Sequence, residues 1–284
     1  MADAPLTLMA VHAHPDDEAI GTGATLALYA AQGVRTVLVT CTDGAVGEIV
    51  DPTVAHPNNL AEVRAEELRA ACAILGVADL HWLGYRDSGM MGTPENDDPR
   101  SFWRADLDEA TGRLVALIRQ HRPQVVVTYD ENGFYGHPDH IQANRVTVAA
   151  FHAAGDPTRY PAQGLAPWAP SKLYYTAVPV SRVLDLGRRL HELNIEAPFS
   201  ADPEALDFGT PDEQIVATID ARAYAQRKRE ALAVHRSQVL DTHFFLALPP
   251  PVWEEAMGVE YYERPICTVP APAQEDDLFA GLRG

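Results

Sequence analysis

The sequence predicts an α/β chain built on a doubly wound, mainly parallel sheet with a smaller, less regular C-terminal portion. Three observations carry this. Over residues 5–180 short apolar runs alternate with longer stretches of helical period. Runs such as Val37-Leu38-Val39 and Val125-Val126-Val127 are continuous, as strands covered on both faces are. Turns dense in His, Asp and Glu follow the ends of these runs, where open α/β sheets bind their ligands.

Taken in order, Leu6–Val11 is too short for a helix and is bounded by polar turns, so it reads as a strand. Ala19–Gln32 carries Leu26, Tyr29 and Ala30 at helical spacing, with Gly33 as its stop. Val34–Thr40 is a second strand. Thr42–Pro57 is a Gly-, Asp- and Pro-bearing connection of a length that usually signals function. Ala61–Leu75 is helical, with Val63, Leu68, Ala71 and Leu75 as its stripe, and Leu80–Leu83 is a short strand. Ala105–His121 is helical, with Leu107, Leu114, Leu117 and Ile118 on one face. Val125–Tyr129 is a strand, Pro138–Ala154 a helix, and Leu173–Val178 a further strand. Ser181–Leu193 and Ala221–Val234 read as helices and Phe244–Leu248 as a strand, while the Pro-rich tail from Pro249 resists assignment. This divides the chain into a Rossmann-like catalytic core, residues 1–180, and C-terminal helices and loops, 181–284, that pack on it and close the site as one integrated domain.

With 40 acidic against 22 basic residues in 284, the formal charge is −18, a field that repels phosphate backbones and argues against nucleic acid. No apolar run approaches the roughly 20 residues of a membrane span. The N-terminus lacks the basic-then-apolar layout of a secretory signal. Three cysteines without CxxC spacing indicate neither a disulfide framework nor a zinc ribbon, so a reducing cytoplasm is expected. A small-molecule partner fits these bounds, and a homo-oligomer is compatible with them.

The chemistry concentrates in two turns of the same grammar, Ala13-His14-Pro15-Asp16-Asp17-Glu18 and Tyr135-Gly136-His137-Pro138-Asp139-His140. Either alone is an ordinary helix start, with Pro at the first position and Asp in the first turn. Together they bring imidazoles and carboxylates to two strand ends of one sheet, where converging charge calls for a cation. His14 and Asp17 can meet on one ion and His140 can supply a third ligand, leaving room for water and substrate. Zinc suits two His and one carboxylate, and iron(II) accepts the same set. Asp16, beside a ligand, is placed to act as general base. A protonated His137 would stabilise an oxyanion, Asp139 would orient it, and Tyr135 brings a phenol to the same loop. His12 is expected to face the core, and Glu18 to support the first helix.

On these runs, AHPDDE and GHPDH, the chain resembles the LmbE-like, or N-acetylglucosaminylphosphatidylinositol deacetylase, superfamily of zinc-dependent amide hydrolases. Within it the likeness is greatest to the mycothiol-type enzymes, the N-acetylglucosaminyl-inositol deacetylase and the mycothiol S-conjugate amidase. CTDGAVGEI (41–49), RDSGMMGT (86–93), VVTYDENGFYGHPDH (126–140), VHRSQV (234–239) and DLFAGL (277–282) support it. The resemblance implies His14, Asp17 and His140 as zinc ligands, Asp16 as base, and His137, oriented by Asp139, with Tyr135 at the tetrahedral intermediate. It further implies that Arg64, Asp87 and Glu48 bind sugar and inositol hydroxyls, with His235 and Gln238 closing the site. DSGMMGT is deacetylase-like; YDENG and SKLYY (171–175) are amidase-like, and Ile20 stands where the amidase pattern has Lys. The substrate is thus an acylated amino sugar or a thiol conjugate, or the chain is a related deacetylase of secondary metabolism. A non-hydrolytic nucleotide- or ligand-binding module is the competing class, but no phosphate-binding glycine motif follows the first strand.

Overall fold

The computed structural model describes residues 5–195, 206 and 208–283. Among the described residues, seven strands form one sheet in the order β3-β2-β1-β4-β5-β7-β6. The first five, β1 (Thr7–His12), β2 (Arg35–Thr42), β3 (Asp79–Tyr85), β4 (Val125–Thr128) and β5 (Lys172–Ala177), are parallel, as predicted. Alternate side chains of each strand feed two cores. Leu8, Ala10 and Leu38 pack under α2 (Gly23–Ala31), α3 (Leu60–Leu75) and α8 (Ala225–Ala233). Met9, Val11, Val37 and Val39 pack under α4 (Leu107–His121) and α6 (Pro138–Ala153). Both faces are covered, which is why the strands read as unbroken apolar runs. The chain leaves β1 toward β2 on one side and reaches β4 on the other, so a crevice opens between the C-terminal ends of β1 and β4.

Several expectations are corrected. The helix expected over Ala19–Gln32 is two, α1 (Asp17–Gly21) and α2, broken at Thr22. The Thr22 hydroxyl donates to the Glu18 carbonyl (3.2 Å) and also meets His12 Nε2 (2.8 Å), competing with the helical ladder. Leu107 opens α4 but is 44% exposed, at the helix's solvent end. Phe244–Leu248 is no strand: Phe244–Ala247 is a helical turn (α9), its amide at Phe245 donating to His243 Nδ1. A five-residue apolar run does not distinguish the two states.

The tail holds more structure than its composition suggested. Beyond α7 (Val180–Glu192), β6 (Ala217–Asp220), α10 (Pro250–Met257) and β7 (Val259–Cys267) extend the same sheet and its cover. Strand β7 lies antiparallel between β5 and β6. Pro265 is tolerated there because it falls where the β5–β7 register shifts and beyond the end of β6. Part of the stretch between α7 and β6, residues 196–205 and 207, lies outside the described residues. Among the described residues no helix is long and apolar enough to cross a membrane.

Candidate active site

Both polar turns open into one cavity of about 1040 Å³ at the β1–β4 crevice. The turn after β1 supplies His14, Asp16 and Asp17. The turn after β4 passes through a four-residue helical turn, α5 (Gly133–Gly136), and enters α6 with His137 as N-cap. Gly133 has φ +63°, and a Cβ there would stand 2.6 Å from that of His140, so only glycine lets the loop close over the ligand helix.

Three donor atoms form a near-equilateral triangle. His14 Nδ1 lies 3.4 Å from Asp17 Oδ2 and 3.3 Å from His140 Nε2, which is 3.5 Å from Asp17 Oδ2. Atoms bound at roughly 2.0–2.2 Å to a tetrahedral ion stand about 3.3–3.6 Å apart, so these side chains fit a small divalent metal without rearrangement. The His137 ring lies beside them, its centroid 4.6 Å from that of His14. Burial pushes the His140 pKa down to about 3, leaving the neutral imidazole a metal needs. Burial opposes the charge on Asp17, but His140 and His14 outweigh it and keep the carboxylate ionised.

The far side of His14 is held by carboxylates. Its Nε2 meets Asp139 Oδ2 at 3.1 Å, and Asp87 Oδ1 lies 3.6 Å away. Asp139 is in turn fixed by the Ser88 amide (2.9 Å) and hydroxyl. This corrects the expectation that the Asp139 carboxylate orients His137: it is spent on His14, and His137 Nδ1 instead accepts the Asp139 backbone N–H (3.1 Å). With Nδ1 accepting, the ring proton belongs on Nε2. Nor is His137 cationic here, since burial and the neighbouring His14 push its pKa down to about 4.

Asp16 lines the cavity with backbone φ +124°, a conformation rare outside glycine. Its amide donates to Glu18 Oε2 (3.0 Å), and its carboxylate accepts from Arg64 Nη2 (3.0 Å). Burial raises the Asp16 pKa to about 6, with Arg64 restraining the shift. Arg64 also lines the cavity, but its guanidinium is engaged by Pro15 O (2.6 Å) and Gly44 O (2.9 Å) as well. Through these bonds it clamps the turn while it lines the cavity. Asp87 lines the cavity too, with its oxygens accepting the Gly89 and Val46 amides, and Glu48 is exposed at the rim. Tyr135, 50% exposed, presents its ring 5.0 Å from His140.

One residue is misplaced by the expectation. His235 is fully buried and does not reach the cavity; it meets Glu18 Oε1 at 2.8 Å, behind Asp16. Gln238, three residues on, lines it instead. Two residues were missed. Tyr129 donates to Asp17 Oδ2 (2.7 Å) and stacks on His140 with centroids 4.1 Å apart, while Ser88 holds Asp139. Their only signal was position, each at or just past the end of a strand.

A family profile for GlcNAc-PI de-N-acetylase (PIG-L) matches residues 9–151. The chain is 49% identical over 293 aligned positions to the 1D-myo-inositol 2-acetamido-2-deoxy-alpha-D-glucopyranoside deacetylase of Geodermatophilus obscurus, with 98% of each covered. Among solved structures it is similar to N,N'-diacetylchitobiose deacetylase from Pyrococcus horikoshii, with TM-score 0.62, 22% identity, and 90% of this chain and 81% of that one covered. It is also similar to the 4-carboxy-2-hydroxymuconate hydratase GalB from Pseudomonas putida KT2440, with TM-score 0.60, 19% identity and coverage of 94% and 99%. A hydratase and a deacetylase share the fold, so the structural likeness speaks for architecture alone. The profile match and the full-length similarity establish that this chain belongs to the GlcNAc-PI de-N-acetylase family.

Proposed function

We propose that this protein is a metal-dependent deacetylase that hydrolyses the acetamide of N-acetylglucosaminyl-inositol, releasing acetate and the free amine. The observation that carries the reading is the His14–Asp17–His140 triangle with Asp16 beside it in a cavity that admits a sugar. The name of the 49% identical relative supplies the substrate. His14 Nδ1, Asp17 Oδ2 and His140 Nε2 would hold zinc, or iron(II). Such an ion contributes Lewis acidity, polarising the amide carbonyl and lowering the pKa of water.

The remaining steps belong to the protein's own groups. Asp16, its carboxylate held by Arg64, takes the proton from water as the oxygen adds to the carbonyl carbon. The carbonyl oxygen gathers negative charge, and His137 donates to it from Nε2 as a neutral N–H. Asp139 acts as a positioning residue for His14, and Tyr129 for Asp17 and His140. The proton held by Asp16 passes to the nitrogen as the C–N bond breaks. Tyr135, exposed at the mouth, covers the leaving amine. Glu48 and Gln238 meet the substrate's hydroxyls. Cys41, Cys72 and Cys267 are free thiols, in keeping with a cytoplasmic setting.

The cavity's volume exceeds what an amino sugar fills, and its walls continue past Phe134 and Val183 to the apolar side chains of Val252 and Met257. This favours, as a second reading, activity on bulkier amides such as mycothiol S-conjugates. Purified, zinc-loaded protein should release acetate from N-acetylglucosaminyl-inositol with a higher kcat/KM than it shows for cleaving an S-conjugate. The reverse order would replace the first reading by the second, and activity on neither would remove both.

A further inference from the structure

A second cluster of ligating side chains lies at the opposite end of the sheet from the cavity. Asp79 and His81 are two apart at the start of β3 and so share a face. That face is turned to α4, as Leu83, the next residue on it, packs with Leu114 and Ile118. Helix α4 runs back along the strand: Arg113 donates to the Leu83 carbonyl, and two turns later His121 ends the helix beside His81. The two imidazoles stand with centroids 4.6 Å apart. One ligand atom each from Asp79, His81 and His121 lies within 4.8 Å of the others.

What sets this cluster apart is unmet bonding capacity. His121 is 6% exposed, yet neither ring nitrogen has a hydrogen-bond partner, and His81 Nε2 has none either. Buried polar atoms are normally satisfied, so nitrogens from two elements converging without partners point to a missing one. The neighbouring charges come from Asp79 on β3 and Arg35 on β2. Arg35 engages both Asp79 oxygens, at 2.7 and 3.0 Å, from a side chain that is 47% exposed and free to turn to water. We propose that Asp79, His81 and His121 form a second binding site for a divalent transition-metal ion, which staples the edge strand β3 to the end of α4. Two imidazole nitrogens and one carboxylate select zinc, nickel, cobalt or copper over magnesium or calcium. The site stands independently of the deacetylase reading, sharing no residue with it.

Zinc alone is the probe. Metal-free protein, prepared by chelator dialysis, should bind two equivalents of zinc by titration calorimetry. His140→Ala should keep the second-site equivalent, and His81→Gln/His121→Gln should keep only the catalytic one with turnover unchanged. A single wild-type equivalent that is lost in His140→Ala, or two equivalents in the double variant, overturns the proposal. Should the histidine changes unfold the chain, Asp79→Asn tests it at the rim: it should weaken the second equivalent roughly 10-fold or more, and unchanged affinity overturns the assignment. A single wild-type equivalent that His140→Ala leaves intact and the double variant abolishes would count against the deacetylase site and leave this one standing.

Discussion

Asp16 holds its carboxylate toward the cavity in a backbone conformation of φ +124°, strain that is worth about 1–3 kcal/mol and persists only where neighbours over-determine it. Here Arg64 grips the Pro15 carbonyl and the Asp16 carboxylate together, while Glu18 takes the Asp16 amide. Asp16→Asn should therefore keep fold and metal but lower kcat by roughly 10²–10⁴; metal content measured beside turnover checks it, and near wild-type kcat would remove Asp16 from the mechanism. Asp139 acts one bond further out. Asp139→Asn leaves the shape but weakens the acceptor behind His14, so zinc affinity should drop about 10–100-fold in chelator competition. Unchanged affinity with a lowered kcat would return Asp139 to the His137 side. The proposed ligand set was legible because two short motifs each put a His and an Asp at fixed offsets. The direction of Asp139 was not, since its partner is 125 residues away and its neighbour His137 is two.

Elements bring these residues into register. The break at Thr22 separates α1, which carries Asp17 and Glu18, from α2, and it is set by a hydroxyl shared between Glu18 O and the buried His12. Period alone ran the two helices together, because the apolar stripe continues across the break. Behind α1, the Glu18–His235 pair ties the C-terminal segment after α8 to the catalytic turn with both side chains fully buried. Burial opposes charge on His235, but Glu18 outweighs it and raises the His235 pKa above its ordinary value. A raised folded-state pKa stabilises the fold fully below the unfolded value of about 6.5 and loses that contribution as pH climbs through the folded one. The stability advantage of wild type over His235→Gln should thus shrink as pH rises above about 6.5, read by urea denaturation. An advantage that grows with pH would contradict the charged pair.

At the scale of the molecule, residues beyond 181 add two strands to the sheet as well as helices that cover it. Val216, Thr218 and the tail at Glu275 exchange backbone hydrogen bonds. The Glu275 carboxylate accepts from Lys172 (2.5 Å), Tyr174 (2.6 Å) and Arg264 (2.8 Å), and Lys172 has no exposed side-chain surface. Glu275→Ala would leave a buried ammonium without its counter-charge and should destabilise the protein by about 3–5 kcal/mol in chemical denaturation. A loss below 1 kcal/mol would mean that the tail is not a clamp.

The sequence by itself determined the parallel half of the sheet, the two His-Pro-Asp turns and the three residues, His14, Asp17 and His140, whose donor atoms converge at the crevice. Those features are local: continuous apolar runs, helix-start residues and strand ends report on themselves. Only the tertiary structure decided which atoms meet across the crevice, because His14 Nδ1 faces Asp17 and His140 while Nε2 faces Asp139. It alone withdrew His235 from the cavity, made Arg64 a clamp, and inserted a proline-bearing antiparallel strand between β5 and β6. Each of these rests on contacts between segments far apart in the chain, where local propensity carries no information about the partner.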